Sequence, residues 1–190
     1  MHLSLPPIPD HIRREANKLH EIESSGGPFN NSLLEGEGLL HGIVGELIVR
    51  DFLKSEGVAT ERVRKPDFDL LANGVRVEVK TQRQSGPAIM PYYDVNVQDR
   101  LCVGLPQQNC DLYVFCRVDN DVQYGGIVGW QTHWAVYHSG TWKTRKKGET
   151  MGSGRGATND CWVQQFGALP SPKLLPDYVL HWSKKCLQPC

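Results

Sequence analysis

At 190 residues the chain is long enough for one folded domain with a full core. Its 21 basic and 21 acidic residues cancel, so no molecule-wide field draws it to nucleic acid, and any such affinity must come from local patches. No apolar run approaches the ~20 residues of a membrane span, and the opening stretch MHLSLPPIPDHIRREANKL lacks the basic segment, apolar core and cleavage site of a secretory leader. Cytoplasmic residence without membrane contact is therefore expected. So are reduced thiols at Cys102, Cys110, Cys116, Cys161, Cys186 and Cys190.

In chain order, HIRREANKLHEIE (11–23) has helix-forming composition, with Ile12, Leu19 and Ile22 on its apolar side. Ser32 to Glu35 has capping-box spacing, and the helix it introduces is expected to end at Gly57. Two strand-like runs then flank Asn73-Gly74, the dipeptide favoured by a two-residue hairpin turn. Further strands are predicted near 92–97, over DLYVFCRV (111–118) and over QYGGIVGW (123–130), with QTHWAVY as a short helix or turn. Period-two alternation puts Cys110 and Cys116 on one face as buried thiols. Residues 139–160 are Gly-rich and basic and read as an exposed loop or irregular ribbon, with Gly152 to Gly156 simply flexible. The tail after Cys161 reads as short strands or turns. Helices before and after a β-rich middle indicate an α/β class with a central mixed β-sheet flanked by helices. The expected organisation is one domain: a helical lead-in (1–32), a core (33–137), and a basic loop with a C-terminal extension (138–190).

The hairpin PDFDLLANGVRVEVKTQ carries the chemistry. With Asn73-Gly74 as the turn, Ala72 faces Val75, Leu71 faces Arg76, Leu70 faces Val77, Asp69 faces Glu78 and Asp67 faces Lys80. Phe68, Leu70, Ala72, Val75, Val77 and Val79 then form an apolar face, opposite Asp67, Asp69, Leu71, Arg76, Glu78 and Lys80. Such a charged face also reads as a solvated surface. However, opposed like charges with Cβ atoms about 5 Å apart repel, and a hard divalent cation reverses that penalty by accepting one or two carboxylates together with water. Lys80 would lie beside the ion, orienting or deprotonating a water or stabilising a phosphate under attack. In the preceding helix Glu46 falls among Leu39, Ile43, Val49 and Leu53, where a lone acid is costly to bury unless paired or metal-bound. It points toward the hairpin acids, or sits at the edge of the stripe and reaches water. Gly42 and Gly45 would permit close backbone approach.

Asp69, Glu78-Val79-Lys80 and the helix acid Glu46 together resemble the core of the PD-(D/E)XK nucleases, the restriction-endonuclease-like superfamily. The later strands resemble its phage-like and Holliday-resolvase-like branch. The match covers residues 36–82, with Asp69 assigned as the ligand and Asp67 as the alternate. The resemblance implies a restriction-endonuclease-like core and Mg²⁺-dependent phosphodiester hydrolysis, with Mn²⁺ able to substitute. In it, Asp69, Glu78 and the Val79 carbonyl hold metal, Lys80 positions the water, Glu46 joins as a metal ligand or its neighbour, and Gln82 takes a polar active-site position.

Basic residues are concentrated near these acids. Arg62, Arg64, Lys65 and Arg83 bracket the hairpin, and Lys143, Arg145, Lys146 and Lys147 cluster in the Gly-rich segment. They are expected to contact DNA phosphates, although the 143–147 run also reads as a solvated loop. Of the tryptophans interleaved there, Trp130 and Trp134 are expected in the core rather than stacked on bases. Structural zinc is not expected, because the cysteines and histidines of the last third show no CxxC pair. The expected activity is that of a metal-dependent DNA endonuclease acting on double-stranded or branched DNA as a homodimer. A junction resolvase, a homing or restriction enzyme and a recombination exonuclease remain open within that class, and a non-catalytic DNA-binding or protein-interaction module outside it.

Overall fold

The computed structural model describes residues 3–25, 37–63, 65–90, 93–98, 100–103, 107–150, 157 and 159–186. The capping box at 32–35, Arg64, Tyr92, Gly152 to Gly156 and Cys190 lie outside the described residues. Near the N-terminus the elements are β1 (Leu3–Ser4), α1 (Asp10–Ser24) and α2 (Glu37–Ser55), followed by β2 (Thr60–Arg62), β3 (Leu70–Ala72) and β4 (Val75–Gln84). There follow β5 (Ala88–Ile89), β6 (Asp94–Gln98), β7 (Leu112–Asp119), β8 (Gly125–Thr132), α3 (His133–His138), β9 (Lys143–Arg145), β10 (Cys161–Gln165) and α4 (Leu175–Cys186).

The central sheet has the order β2-β3-β4-β7-β8, antiparallel except for the parallel pair β4/β7. The chain is therefore α/β with a mixed five-stranded sheet, as its alternating patterns indicate. β7 is buried at every position because both faces of the sheet are covered, which accounts for its apolar run from Leu112 to Cys116. One face carries α2 and α4: Val49, Leu53, Leu175 and Val179 pack on Leu70, Val75, Val77, Leu112, Val114 and Trp130. On the other face Tyr113 and Phe115 meet Val95 and Val97 of β6, Val136 of α3, Trp142 and Phe166. Here a small antiparallel sheet, β6-β10-β9, supplies the second cover. α1 closes over α2 through Ile12 and Ala16 against Ile43, Val44 and Leu47.

The end of α2 follows directly from the sequence. Gly57, at φ +79°, accepts the left-handed turn, its N–H donates to the Lys54 carbonyl, and the Val58 N–H donates to Leu53. Elsewhere tertiary packing overrides the pattern. α4 replaces the expected strands or turns: Pro176 occupies the first turn, where a missing N–H does no harm, and Leu175 and Val179, one turn apart, supply the buried face. Trp130 is buried as expected, whereas Trp134 is 65% exposed, because Val136 takes the core side of α3 and two residues advance the helix by about 200°. Cys110 and Cys116 are both buried free thiols but lie on opposite faces, since the chain bends at Asp111 before β7 begins. Where the sequence suggests an exposed loop or irregular ribbon, Lys143–Arg145 forms a strand paired to Cys161–Val163. Among the described residues no helix is long and apolar enough to cross a membrane.

Candidate active site

The hairpin register is the one the turn dictates: Ala72 opposite Val75, Leu71 opposite Arg76 and Leu70 opposite Val77. Asn73 and Gly74 adopt φ +46° and +84°, as the tight turn requires. β3 stops after three residues while β4 runs for ten, so β4 continues past its partner. Asp69 stands at the break. Its N–H donates to the Val77 carbonyl (3.0 Å), one residue out of register, and its Oδ2 accepts the Val79 N–H (2.7 Å). A side chain thus completes a ladder that the backbone has left. The irregularity also moves Phe68 off the face expected for it, into the cluster with Leu71, Tyr113 and Phe115.

Beyond the break, alternation places Glu78, Lys80 and Gln82 on one face of β4, beside Tyr113, Phe115 and Arg117 of β7. The N–H and C=O of one strand residue point to the same side, so the Val79 carbonyl faces the gap beside Asp69. From the opposite face α2 approaches closely at Gly45, where an added Cβ would fall 1.9 Å from Thr81 Oγ1. Nothing stands within 4 Å of a Cβ at Gly42, so only Gly45 serves the contact expected of both glycines. The next residue, Glu46, lies close enough for its charge to act on Asp69 and Glu78.

The three acids share few cations. Lys80 Nζ donates to Glu78 Oε1 (2.6 Å), and Arg62 Nε donates to Glu46 Oε2 (2.5 Å). Burial, reinforced by Glu78 and Glu46, still pushes the Asp69 carboxyl well above the usual range against the opposing pull of Val79 N–H and Lys80. Burial raises Glu46 to about 7, with Arg62 opposing and Glu23 and Glu78 adding to the rise. For Lys80, burial works toward a lower pKa, but contact with Glu78 and the charge of Asp69 outweigh it and the net shift is upward. The Lys80 ammonium is thus placed to donate hydrogen bonds and to stabilise negative charge.

The donor set suits a hard cation: carboxylates from Asp69, Glu78 and Glu46, plus a backbone carbonyl at Val79. Gln82 Oε1 is buried on the same face as Lys80 with no hydrogen-bond partner among the described residues, an acceptor left for a group that enters the site. Among the described residues no three His, Cys, Asp or Glu side chains are grouped so as to hold a metal ion. Lys80 and Arg62 occupy the carboxylate oxygens instead.

Other expected site residues divide. Asp67 does not face Lys80; it pairs with Arg100 at 3.6 Å, leaving Asp69 as the acid in the cluster. Arg62 is turned inward onto Glu46 and Glu23, with 15% of its side chain exposed, and is not available to phosphates. Lys65 is exposed, with Nζ over the Phe68 ring, and Arg83 is exposed near the far end of β4. Lys143 and Lys147 are exposed, Lys146 pairs with Asp160 (2.9 Å) and Arg145 is half-buried. Glu23 has no signal in the sequence, because it reaches the site only through the packing of α1. Arg117 does have one, a lone charge within an apolar strand run: it is buried, donating to the Asp94 carbonyl (2.8 Å) and lying over Tyr93. A surface cavity of about 660 Å³ lies elsewhere, lined by Arg13, Arg14, His41 and Val122, and none of the clustered acids borders it.

In comparison with known proteins, no family model, no curated protein and no solved structure matches this chain.

Proposed function

We propose that this protein is a Mg²⁺-dependent deoxyribonuclease built on a restriction-endonuclease-like core of the PD-(D/E)XK kind, with Mn²⁺ able to replace Mg²⁺. The observation that supports this most is the proximity of Glu46 of α2, Asp69 just before β3, and Glu78 and Lys80 of β4, where β4 runs on past its partner β3. Asp69, Glu78, the Val79 carbonyl and Glu46 would hold the ion. When bound, Mg²⁺ supplies Lewis-acid stabilisation of charge on the phosphoryl oxygens. Lys80, released from Glu78, donates a hydrogen bond that holds a water in line with the phosphorus and offsets charge on the pentacovalent transition state. The water's oxygen bonds to phosphorus and gives up a proton to solvent as the P–O3′ bond breaks, and the departing oxygen takes a proton from solvent. Gln82, whose buried Oε1 has no hydrogen-bond partner among the described residues, orients the water or the phosphate from beside Lys80. Lys65, Arg83, Lys143 and Lys147 supply phosphate contacts around the cut, and two copies related by a two-fold would cut the two strands of a duplex.

One observation favours a second reading, a non-catalytic DNA-binding or protein-interaction module. The ion pairs Lys80–Glu78 and Arg62–Glu46 leave two of the three acids compensated without any metal. Incubation of the purified chain with supercoiled, linear and branched DNA, in Mg²⁺ or in EDTA, decides between them. Nicking that requires Mg²⁺ and is lost in Lys80→Ala supports the nuclease. DNA binding without cleavage, unchanged by that substitution, sinks it.

A further inference from the structure

Arg62 holds two carboxylates from two helices. Its Nε donates to Glu46 Oε2 of α2 (2.5 Å) and its Nη1 to Glu23 Oε1 of α1 (2.7 Å), with 15%, 15% and 11% of the Arg62, Glu46 and Glu23 side chains exposed. The backbone next to it is equally committed. Arg62 pairs with Leu70 across the β2/β3 ladder, and the Val63 N–H donates to the Asp69 carbonyl (2.8 Å). Two consecutive residues therefore fix two of the clustered acids, one through its main chain and the other through its side chain. The planar guanidinium suits this, because it donates to two acids in a fixed fork, whereas a lysine ammonium is a point charge on a flexible stem.

Resting on the nuclease reading, we infer that Arg62 is a positioning residue for the metal site, with Glu23 setting its orientation so that Glu46 stays directed at Asp69 and Glu78. Without that clamp Glu46 would be a buried carboxylate beside two others with no counter-charge, an arrangement relieved by taking up a proton or by swinging away, either of which weakens it as a ligand. The clamp ties α1 to the affinity for the ion. It also gives Arg62 a task different from a phosphate contact.

The test compares wild type with Glu23→Gln, Arg62→Lys and Arg62→Met. Mn²⁺ binding is followed by electron paramagnetic resonance of the free ion, in parallel with DNA cleavage against Mn²⁺ concentration and with thermal melting. Replacement of groups that orient metal ligands weakens metal affinity by about 10–100-fold. Glu23→Gln is expected to raise the Mn²⁺ half-saturation about 10-fold with kcat at saturating metal within a few-fold of wild type. Arg62→Lys should resemble Arg62→Met in this respect. Folded variants with unchanged half-saturation overturn the inference, as does a loss of kcat at saturating Mn²⁺ with affinity intact, which would make Arg62 a substrate contact. A wild type that neither binds Mn²⁺ nor cuts DNA overturns the nuclease reading itself, an outcome distinct from an active wild type whose variants bind metal normally.

Discussion

Two neighbouring stretches of β4 treat carboxylates in opposite ways. At its start, Asp111 accepts from the Arg76 backbone N–H (2.9 Å), from Nε (3.0 Å) and from Nη2 (2.8 Å), while its own N–H returns a bond to the Arg76 carbonyl (2.8 Å). Burial acts to raise that carboxyl, but the donors of Arg76 outweigh it and hold Asp111 below the usual range. Two residues on, around Glu78, the acids Asp69, Glu78 and Glu46 crowd together and two of their carboxyls shift upward. Both sites sit on the same strand, and the difference between them lies in donors per acid. A carboxylate saturated by one arginine locks strands together; carboxylates that outnumber their donors form a site with unspent capacity for a cation.

The sharpest way to break this contrast is to neutralise acids at each site. On the nuclease reading, Asp69→Asn should lower metal-dependent DNA cleavage by about 10²–10⁴-fold while the melting temperature holds or rises, because it relieves repulsion without removing the partner of Lys80. Activity assays with differential scanning calorimetry check both halves, and a fall in stability comparable to that of a core truncation would show the cluster to be structural. Next in size is Gly45→Ala, which forces a Cβ onto Thr81 and should cost up to about 3 kcal/mol by overpacking. Gly42→Ala, in open space on the same helix, should instead stabilise by about 0.5–1 kcal/mol, and urea denaturation of the pair measures the difference.

Asp111→Asn should cost about 1–2 kcal/mol near neutral pH through loss of charge-assisted hydrogen bonds, discounted for partial exposure. Because the folded pKa of Asp111 is depressed, that stabilisation exists above the unfolded value near 3.8 and is lost as pH falls through the folded one. The variant and wild type should therefore converge in strong acid. Glu46 has the opposite sign. With a folded pKa of about 7 against 4.5, the native state binds the extra proton across that interval, so wild type gains stability on acidification. Relative to Glu46→Gln the gain between about pH 8 and about pH 5 should be on the order of 1–2 kcal/mol in denaturant titrations. A flat difference would place Glu46 at a solvated edge rather than in the cluster.

Much of this contrast is legible in the chain, and the reasons differ by residue. Asn73-Gly74 sets a register that no distant contact needs to enforce, so Glu78 and Lys80 fall on one face by alternation alone. Gly57 ends α2 for a similarly local reason. Asp69 was reachable as a candidate, but its role in capping Val79 depends on β3 stopping short, which period-two counting does not foresee. Arg62 looked like a phosphate contact because basic residues flank the acidic strand; only the packing of α1 and α2 turns it inward. Trp134 and α4 were misread because their segments are short, and six or twelve residues carry too little periodicity to show which side the core will take.

By itself the sequence determined the α/β class, the turn-fixed hairpin and the identity of the acids and lysine, because local geometry repeats every two or 3.6 residues. The tertiary structure alone decided which acids meet and which bases neutralise them. Glu23, Glu46, Arg62 and Asp69 lie on separate elements, and pairing across such distances is set by how helices pack on a sheet, which no local period records.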